Sequence, residues 1–530
     1  MDTARLLRAT GCALAAAALL LSSGCSSGTG RPAGPAGPSP AGSPAGRPTS
    51  GLATLQPLPT AIPENLRSYY DQKLHWRKCG VAGFQCATMR APLDYEHPSQ
   101  ESDLKLAVSR KGATGPGKKI GSLLVDPGGP GASAIDYLQQ YAPQPASVQA
   151  RYDMVAMDPR GVARSAPVKC LPDKQMDTYT QVDQTPDDNG EVRKLTAAYR
   201  NFAQACRAHS KGLLGHVSTV EAARDMDVLR SVLGDRKLNY VGASYGTFLG
   251  ATYAGLFPSR SGRLVLDGAM DPSLNARQVN EQQTAGFNTA FEAFAKDCVK
   301  KPDCPLGTKS PQDAGKRLNA LFRKLDQHPI STGEPRKLTE SLATTGVIAA
   351  MYDEGAWPTL REYLGQAEKG DGRGLLTLSD SYYERDPDGK YANLMSANAA
   401  VNCLDLPPAF PDARAARNAV PAFDKASPVF GDGFTWAALN CTYWSTKPTG
   451  KPQRIEAKGA DPIVVVGTTR DPATPYRWAK ALASQLSSAT LLTYVGDGHT
   501  AYGRGSRCID DAINTYLVRG TPPAAGKRCT

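Results

Sequence analysis

The chain has 530 residues, enough for one large domain or two ordinary ones. Apolar residues make up 41% and charged residues 21%, near the globular average, which excludes wholesale disorder and a coiled coil. The net charge of +11 is spread along the chain without a basic block, so nothing marks a nucleic-acid partner.

Residues 1–25 read as an export signal. Arg5 and Arg8 precede an apolar stretch, 13–21, that is too short to span a bilayer in comfort. It is the only apolar run approaching membrane length, which excludes a polytopic membrane protein. The stretch ends in Leu21-Ser22-Ser23-Gly24-Cys25, small residues before a cysteine that resemble a bacterial lipobox, with Ser22 where an apolar residue is usual. Cys25 is therefore expected to carry a lipid and put the mature protein outside the cytoplasm, touching the membrane only through that anchor. Plain secretion is the alternative. Residues 26–55 are assigned to a disordered tether, because 26–50 are nearly all Ser, Gly, Pro, Ala and Thr.

Twelve cysteines are present. With Cys12 in the signal and Cys25 set aside, an even number remains, which in an exported chain argues for disulfides. Their spacing suggests neighbouring couples: Cys79 with Cys86, Cys170 with Cys206, Cys298 with Cys304, Cys403 with Cys441 and Cys508 with Cys529. A metal site is not expected, since neither a Cys-x-x-Cys pair nor a His-Glu-x-x-His motif occurs.

From about residue 100, short apolar runs alternate with helix-period stretches. Strands are predicted at 104–109, 122–126, 153–158, 238–241, 263–267, 463–467 and 491–495, with helices such as 220–233 and 475–486 between them. That alternation implies an α/β fold with a mostly parallel sheet covered on both faces. Residues 275–400 read as helical throughout, including 282–300, 311–327 and 342–367, and suggest a cap inserted between core segments 60–274 and 401–530.

Gly242-Ala243-Ser244-Tyr245-Gly246 fits G-x-S-x-G. The pattern alone is too short to be specific, but here it follows a strand and opens a helix-compatible run, the setting of a nucleophile elbow. The Tyr245 N–H then faces the substrate oxygen from a helix N-terminus. Upstream, Asp126-Pro127-Gly128-Gly129-Pro130-Gly131 also follows a strand, and Gly129 N–H is assigned as the second oxyanion donor. Of six histidines only His499 follows a strand near the C-terminus. The chain order Ser…Asp…His then points to Asp471 in the loop after 463–467, with Asp267 as the alternative; Asp497 lies too close in sequence to His499.

Gly128-Gly129-Pro130-Gly131, Asp158-Pro159-Arg160-Gly161, Gly242-Ala243-Ser244-Tyr245-Gly246-Thr247, Asp471-Pro472-Ala473-Thr474-Pro475 and Gly498-His499 together resemble the tripeptidyl aminopeptidase-like α/β-hydrolases of actinobacteria, secreted relatives of the prolyl iminopeptidases. Pro127 stands where prolyl iminopeptidases have histidine and Ala163 where their Asp-x-Arg-Gly-x-Gly pattern has its second glycine, which puts proline specificity in doubt. The resemblance implies an α/β-hydrolase with an inserted helical cap, no cofactor, and release of short N-terminal peptides, tripeptides foremost, from oligopeptides with a free N-terminus. A cap carboxylate should meet the substrate ammonium, Asp405 or Glu354 being the candidates, with Trp357 and Trp444 as candidate pocket walls. An esterase with the same triad and a non-catalytic surface lipoprotein are the competing readings.

Overall fold

The computed structural model describes residues 51–530. The signal, Cys25 and tether residues 26–50 lie outside the described residues; the tether ends before the expected residue 55, because Ala53 O and Leu55 N–H pair with the Arg454 backbone at 2.8 Å. Ten strands form one sheet: β1 (Arg77–Lys78), β2 (Phe84–Ala91), β3 (Leu104–Lys111), β4 (Gly121–Asp126), β5 (Tyr152–Met157), β6 (Leu238–Ala243), β7 (Ser261–Asp267), β8 (Ile463–Arg470), β9 (Ala489–Asp497) and β10 (Arg528–Cys529). Their spatial order is β1-β2-β3-β5-β4-β6-β7-β8-β9-β10. Pairing is antiparallel from β1 to β5 across β2 and β3, and parallel from β5 onwards. This is the mostly parallel sheet of an α/β-hydrolase.

All seven predicted strands lie in the sheet. Their central members, such as Val464, Val465 and Val466, are wholly buried because helices cover both faces. β2 escapes a search for apolar runs. It is antiparallel with one face partly exposed, so Met89 and Ala91 alternate with exposed Thr88 and Arg90.

The helical insertion between β7 and β8 is longer than the 275–400 expected. After helices Ala276–Cys298 and Pro311–Gln327 come Glu340–Met351, Trp357–Glu368, Arg373–Tyr382, Leu394–Asp405, Ala413–Ala426 and Gly431–Ala437, and β8 starts only at Ile463. Packing explains the difference. Ala399, Ala400 and Leu404 join the main core with Tyr240 and Leu266, whereas Phe423 and Trp436 pack beside Leu195 and Tyr199. The segment after 400 thus touches the sheet core first and then returns to helical packing. The earlier insert helices bury a core of their own around Phe287, Phe294, Leu321 and Leu342.

The single helix expected at 342–367 is two. Asp353 breaks it by accepting from Gly355 N–H at 2.9 Å, a 3-10 turn Glu354–Ala356 follows, and Pro358 then starts the second helix. This break drops Tyr352, Asp353 and Glu354 onto the sheet edge.

The structure joins Cys79–Cys86, Cys170–Cys206, Cys298–Cys304, Cys403–Cys441 and Cys508–Cys529, the five couples suggested by spacing. Among the described residues no helix is long and apolar enough to cross a membrane.

Arg160, in the Asp158-Pro159-Arg160-Gly161 motif, is a framework group. Its guanidinium is buried, binds both oxygens of Asp225 at 2.7 Å, and donates to the carbonyls of Pro92, Leu93 and His216. Arg160→Met would leave the Asp225 carboxylate buried and unpaired. Urea denaturation should then show a loss of about 3–5 kcal/mol.

Candidate active site

Ser244 stands between β6 and helix Tyr245–Leu256 with φ 57° and ψ −124°, a left-handed conformation costly for a residue with a Cβ. Its surroundings hold it there. Ser244 N–H donates to Asp267 O at 2.9 Å, and the Thr247 N–H and hydroxyl both donate to Ser244 O, at 2.9 and 2.6 Å. A Cβ at Gly242 would come within 2.4 Å of Gly246 O, so the strand can enter the elbow only as glycine.

The glycine loop after β4 lies against this elbow. Gly128, at φ 92°, sits so close that a Cβ would fall 2.5 Å from Ala243 O and 2.7 Å from Tyr245 N. Gly129 N–H has no acceptor among the described residues. Tyr245 N–H, at the first position of its helix, has no intrahelical acceptor. Two backbone donors are therefore free beside the serine. The loop is tied to the insertion by Asn398, whose side-chain amide donates to Pro130 O at 3.1 Å.

Asp471 and His499 come together from the ends of β8 and β9. His499 Nδ1 lies 2.9 and 3.0 Å from the two oxygens of Asp471. The carboxylate is buried and further held by Ala473 N–H at 3.0 Å, Thr474 N–H at 2.8 Å and Thr500 N–H at 3.2 Å. Thr474 Oγ1 is 3.4 Å from Nδ1. From the insertion, Tyr352 O accepts from His499 N–H at 2.9 Å, and its ring meets the imidazole edge-on at 5.4 Å. Arg470 and Asp497, paired across β8 and β9 at 2.5 and 2.6 Å, brace the two loops.

His499 Nε2 is buried and has no hydrogen-bond partner, so the bond to Ser244 Oγ expected of a triad is not made in this structure. Both residues nonetheless flank one point. Ser244 N–H binds Asp267 O, and a Cβ on the next residue, Gly268, would lie 3.2 Å from His499 Cε1. Such bonds are commonly long without substrate and tighten when it binds.

Asp267 is not the imidazole's partner. Its buried carboxylate accepts from Ala501 N–H and Tyr502 N–H at 2.9 and 2.8 Å and shapes the turn after His499. Asp405 is not available to an ammonium either. It is buried, binds Thr219 N–H at 2.9 Å and Thr219 Oγ1 at 2.5 Å, and Thr219 Oγ1 in turn meets Tyr245 OH at 2.6 Å. Burial pushes its carboxyl up to about 7, against those hydrogen bonds. Asp405 thus braces the start of the helix that presents Tyr245 N–H, a role its place at a helix end does not reveal in sequence. Glu354 is exposed on the 3-10 turn beside Asp353, and partial desolvation of its carboxyl by neighbouring atoms, followed by the Asp497 charge, raises it. Trp357 and Trp444 pack into the insert and main cores respectively.

Among the described residues, three acidic side chains close enough to share an ion are Asp183, Asp326 and Glu340. None belongs to the strand-end loops that carry Ser244, Asp471 and His499.

Residues 121–373 match the family model described as "alpha/beta hydrolase fold", and residues 427–529 match the one described as "TAP-like protein". The latter match contains Asp471 and His499. "Serine protease Hip1" of Mycobacterium tuberculosis is 37% identical over 483 residues, covering 86% of this chain and 91% of the relative. "Carboxylesterase B" of the same species is 41% identical over 454 residues, covering 84% and 86%. "Tripeptidyl aminopeptidase" of Streptomyces lividans is 30% identical over 474 residues, covering 86% of each.

Proposed function

The chain belongs to the tripeptidyl aminopeptidase-like family of α/β-hydrolases, and from that premise we propose that it is a serine exopeptidase releasing short N-terminal peptides, tripeptides foremost, from oligopeptides. The observation that carries the chemistry is the buried Asp471–His499 couple with an unpartnered Nε2, beside a serine held at positive φ.

Ser244 Oγ attacks the scissile carbonyl while His499 Nε2 takes its proton. Asp471 holds the proton of Nδ1 and stabilises the imidazolium. Tyr245 N–H and Gly129 N–H receive the developing oxyanion, and loss of one such donor costs about 2.7–4 kcal/mol. The imidazolium returns its proton to the leaving amine. Water then repeats the sequence on the acyl-enzyme.

Recognition of a free N-terminus falls to Glu354, whose carboxylate is exposed beside the Tyr352 contact to His499. Five disulfides support an oxidising compartment, in keeping with export and with a lipid on Cys25.

The test is hydrolysis of Ala-Ala-Pro and Ala-Ala-Ala arylamides with free and with blocked N-termini. The free peptides should be cleaved at least about fivefold faster, because blocking removes the charge that the exposed Glu354 carboxylate pairs. Equal rates on blocked peptides would rule out an exopeptidase. Esterolysis without amide cleavage would select the esterase reading, the activity in the printed name of the relative "Carboxylesterase B". Glu354→Gln should reduce the preference for free N-termini by about fivefold, the scale of a partly exposed charge pair.

A further inference from the structure

Asp126 ends β4, two residues before Gly128, and its carboxylate is buried. Its Oδ1 accepts from Gly128 N–H at 2.8 Å, next to the Gly129 donor. The other limb of the hole closes on it as well. A Cβ at Gly246 would lie 2.9 Å from both the Asp126 carbonyl oxygen and Oδ1, and the sheet register pairs Asp126 with Gly242. The carboxyl is thus wedged between the two backbone segments that carry the Gly129 and Tyr245 N–H groups. The titratable groups facing it are Asp158 just past β5, Tyr240 on β6 and Tyr245 on the following helix, none of them a cation. Its remaining neighbours, among them Leu124, Met157, Met226 and Leu249, are apolar.

We propose that Asp126 is a positioning residue of the oxyanion hole that works protonated: neutral, it fixes Gly128 N–H and leaves the hole electropositive, whereas ionised, it places a negative charge behind the forming oxyanion and slows acyl transfer. This rests on the serine-hydrolase reading of Ser244. The carboxylate is buried and holds the N–H of Gly128, the residue before the Gly129 donor, so an ionised carboxylate there repels an oxyanion bound at Gly129 N–H. Burial, opposed by the Gly128 N–H and reinforced by Asp158, pushes the carboxyl up to about 7.

The experiment compares wild type with Asp126→Asn, which keeps an acceptor for Gly128 N–H and cannot ionise. The readout is the pre-steady-state rate of acylation by an activated nitrophenyl ester, which needs no peptide recognition. The ratio of the rate at about pH 9 to that at about pH 6 should be roughly tenfold higher in the variant. The second readout is thermal stability. A carboxyl raised by folding stabilises the fold below the ordinary carboxylate range and loses that contribution as pH rises from about 4 through about 7, so the Tm advantage of Asp126→Asn should grow between about pH 4 and 7 and level off above it. Asp126→Ser, also an uncharged acceptor, carries the same expectation where the amide does not fit. An unchanged rate ratio, or a folded variant inactive at both pH values, would overturn the proposal. Ester hydrolysis that survives Ser244→Ala would instead remove the serine reading beneath it.

Discussion

Ser244→Ala should lower kcat/KM for a free tripeptide arylamide by about 10⁵–10⁶-fold, the scale seen when a triad nucleophile is removed. The fold should survive the change. Ser244 Oγ has no hydrogen-bond partner among the described residues, and the strained backbone is held by Ser244 N–H to Asp267 O and by Thr247 on Ser244 O, contacts that alanine keeps. Stability should therefore move by no more than about 0.5 kcal/mol. The expected loss is in kcat, because hydroxyl attack is a step of the reaction and not of substrate binding. His499→Ala should cost a similar amount, and the double variant little more than either, since nucleophile and base act as one unit. Arylamide kinetics with a thermal melt on each variant checks both statements. Residual activity above about one per cent of wild type would move the nucleophile elsewhere.

The parts of this site that could be read in the sequence are those fixed by short-range physics. A parallel strand buried on both faces must be a run of apolar residues, so Val464–Val466 and the strand before Ser244 announce themselves. The elbow needs glycine where a Cβ would strike Gly246 O, and that need is written into the motif. Chain order then points to Asp471 and His499 as candidate partners of Ser244, and the 2.9 Å contact between those two follows from adjacent β8 and β9 ending at the same rim.

What stayed hidden depends on long-range packing. Nothing local tells Asp405 that Thr219, at the start of a helix far earlier in the chain, will take both its oxygens, so a buried brace looked like a free carboxylate. Nor does periodicity register the break at Asp353, because Glu340–Met351 and Trp357–Glu368 are each regular and the interruption lasts one 3-10 turn. That short turn nevertheless follows directly on Tyr352, whose carbonyl accepts from His499 N–H.

Asp471→Asn should reduce kcat by about 10⁴-fold while leaving KM nearly unchanged, and the hydrogen-bond inventory says why. Oδ1 accepts from Ala473 N–H and Thr474 N–H, and Oδ2 from Thr500 N–H, while His499 Nδ1 lies against both oxygens. An asparagine has one oxygen to offer. Facing it toward the two donors at 473 and 474 turns the NH₂ toward Thr500 N–H and Nδ1. The first meeting sets donor against donor and should cost about 1–3 kcal/mol of stability. The second forces Nδ1 to accept, which moves the ring proton to Nε2, where it can no longer take the proton of Ser244. Asp267→Asn provides the contrast. With its oxygen at Oδ2 it keeps both Ala501 N–H and Tyr502 N–H and gives up only the second, 3.1 Å contact of Ala501 N–H to Oδ1, so it should cost less stability, about 1 kcal/mol, leave the imidazole tautomer alone and keep kcat within about tenfold of wild type. Measured side by side, kcat and urea midpoints separate the two aspartates: similar losses of kcat would mean that the acid of the triad had been misassigned.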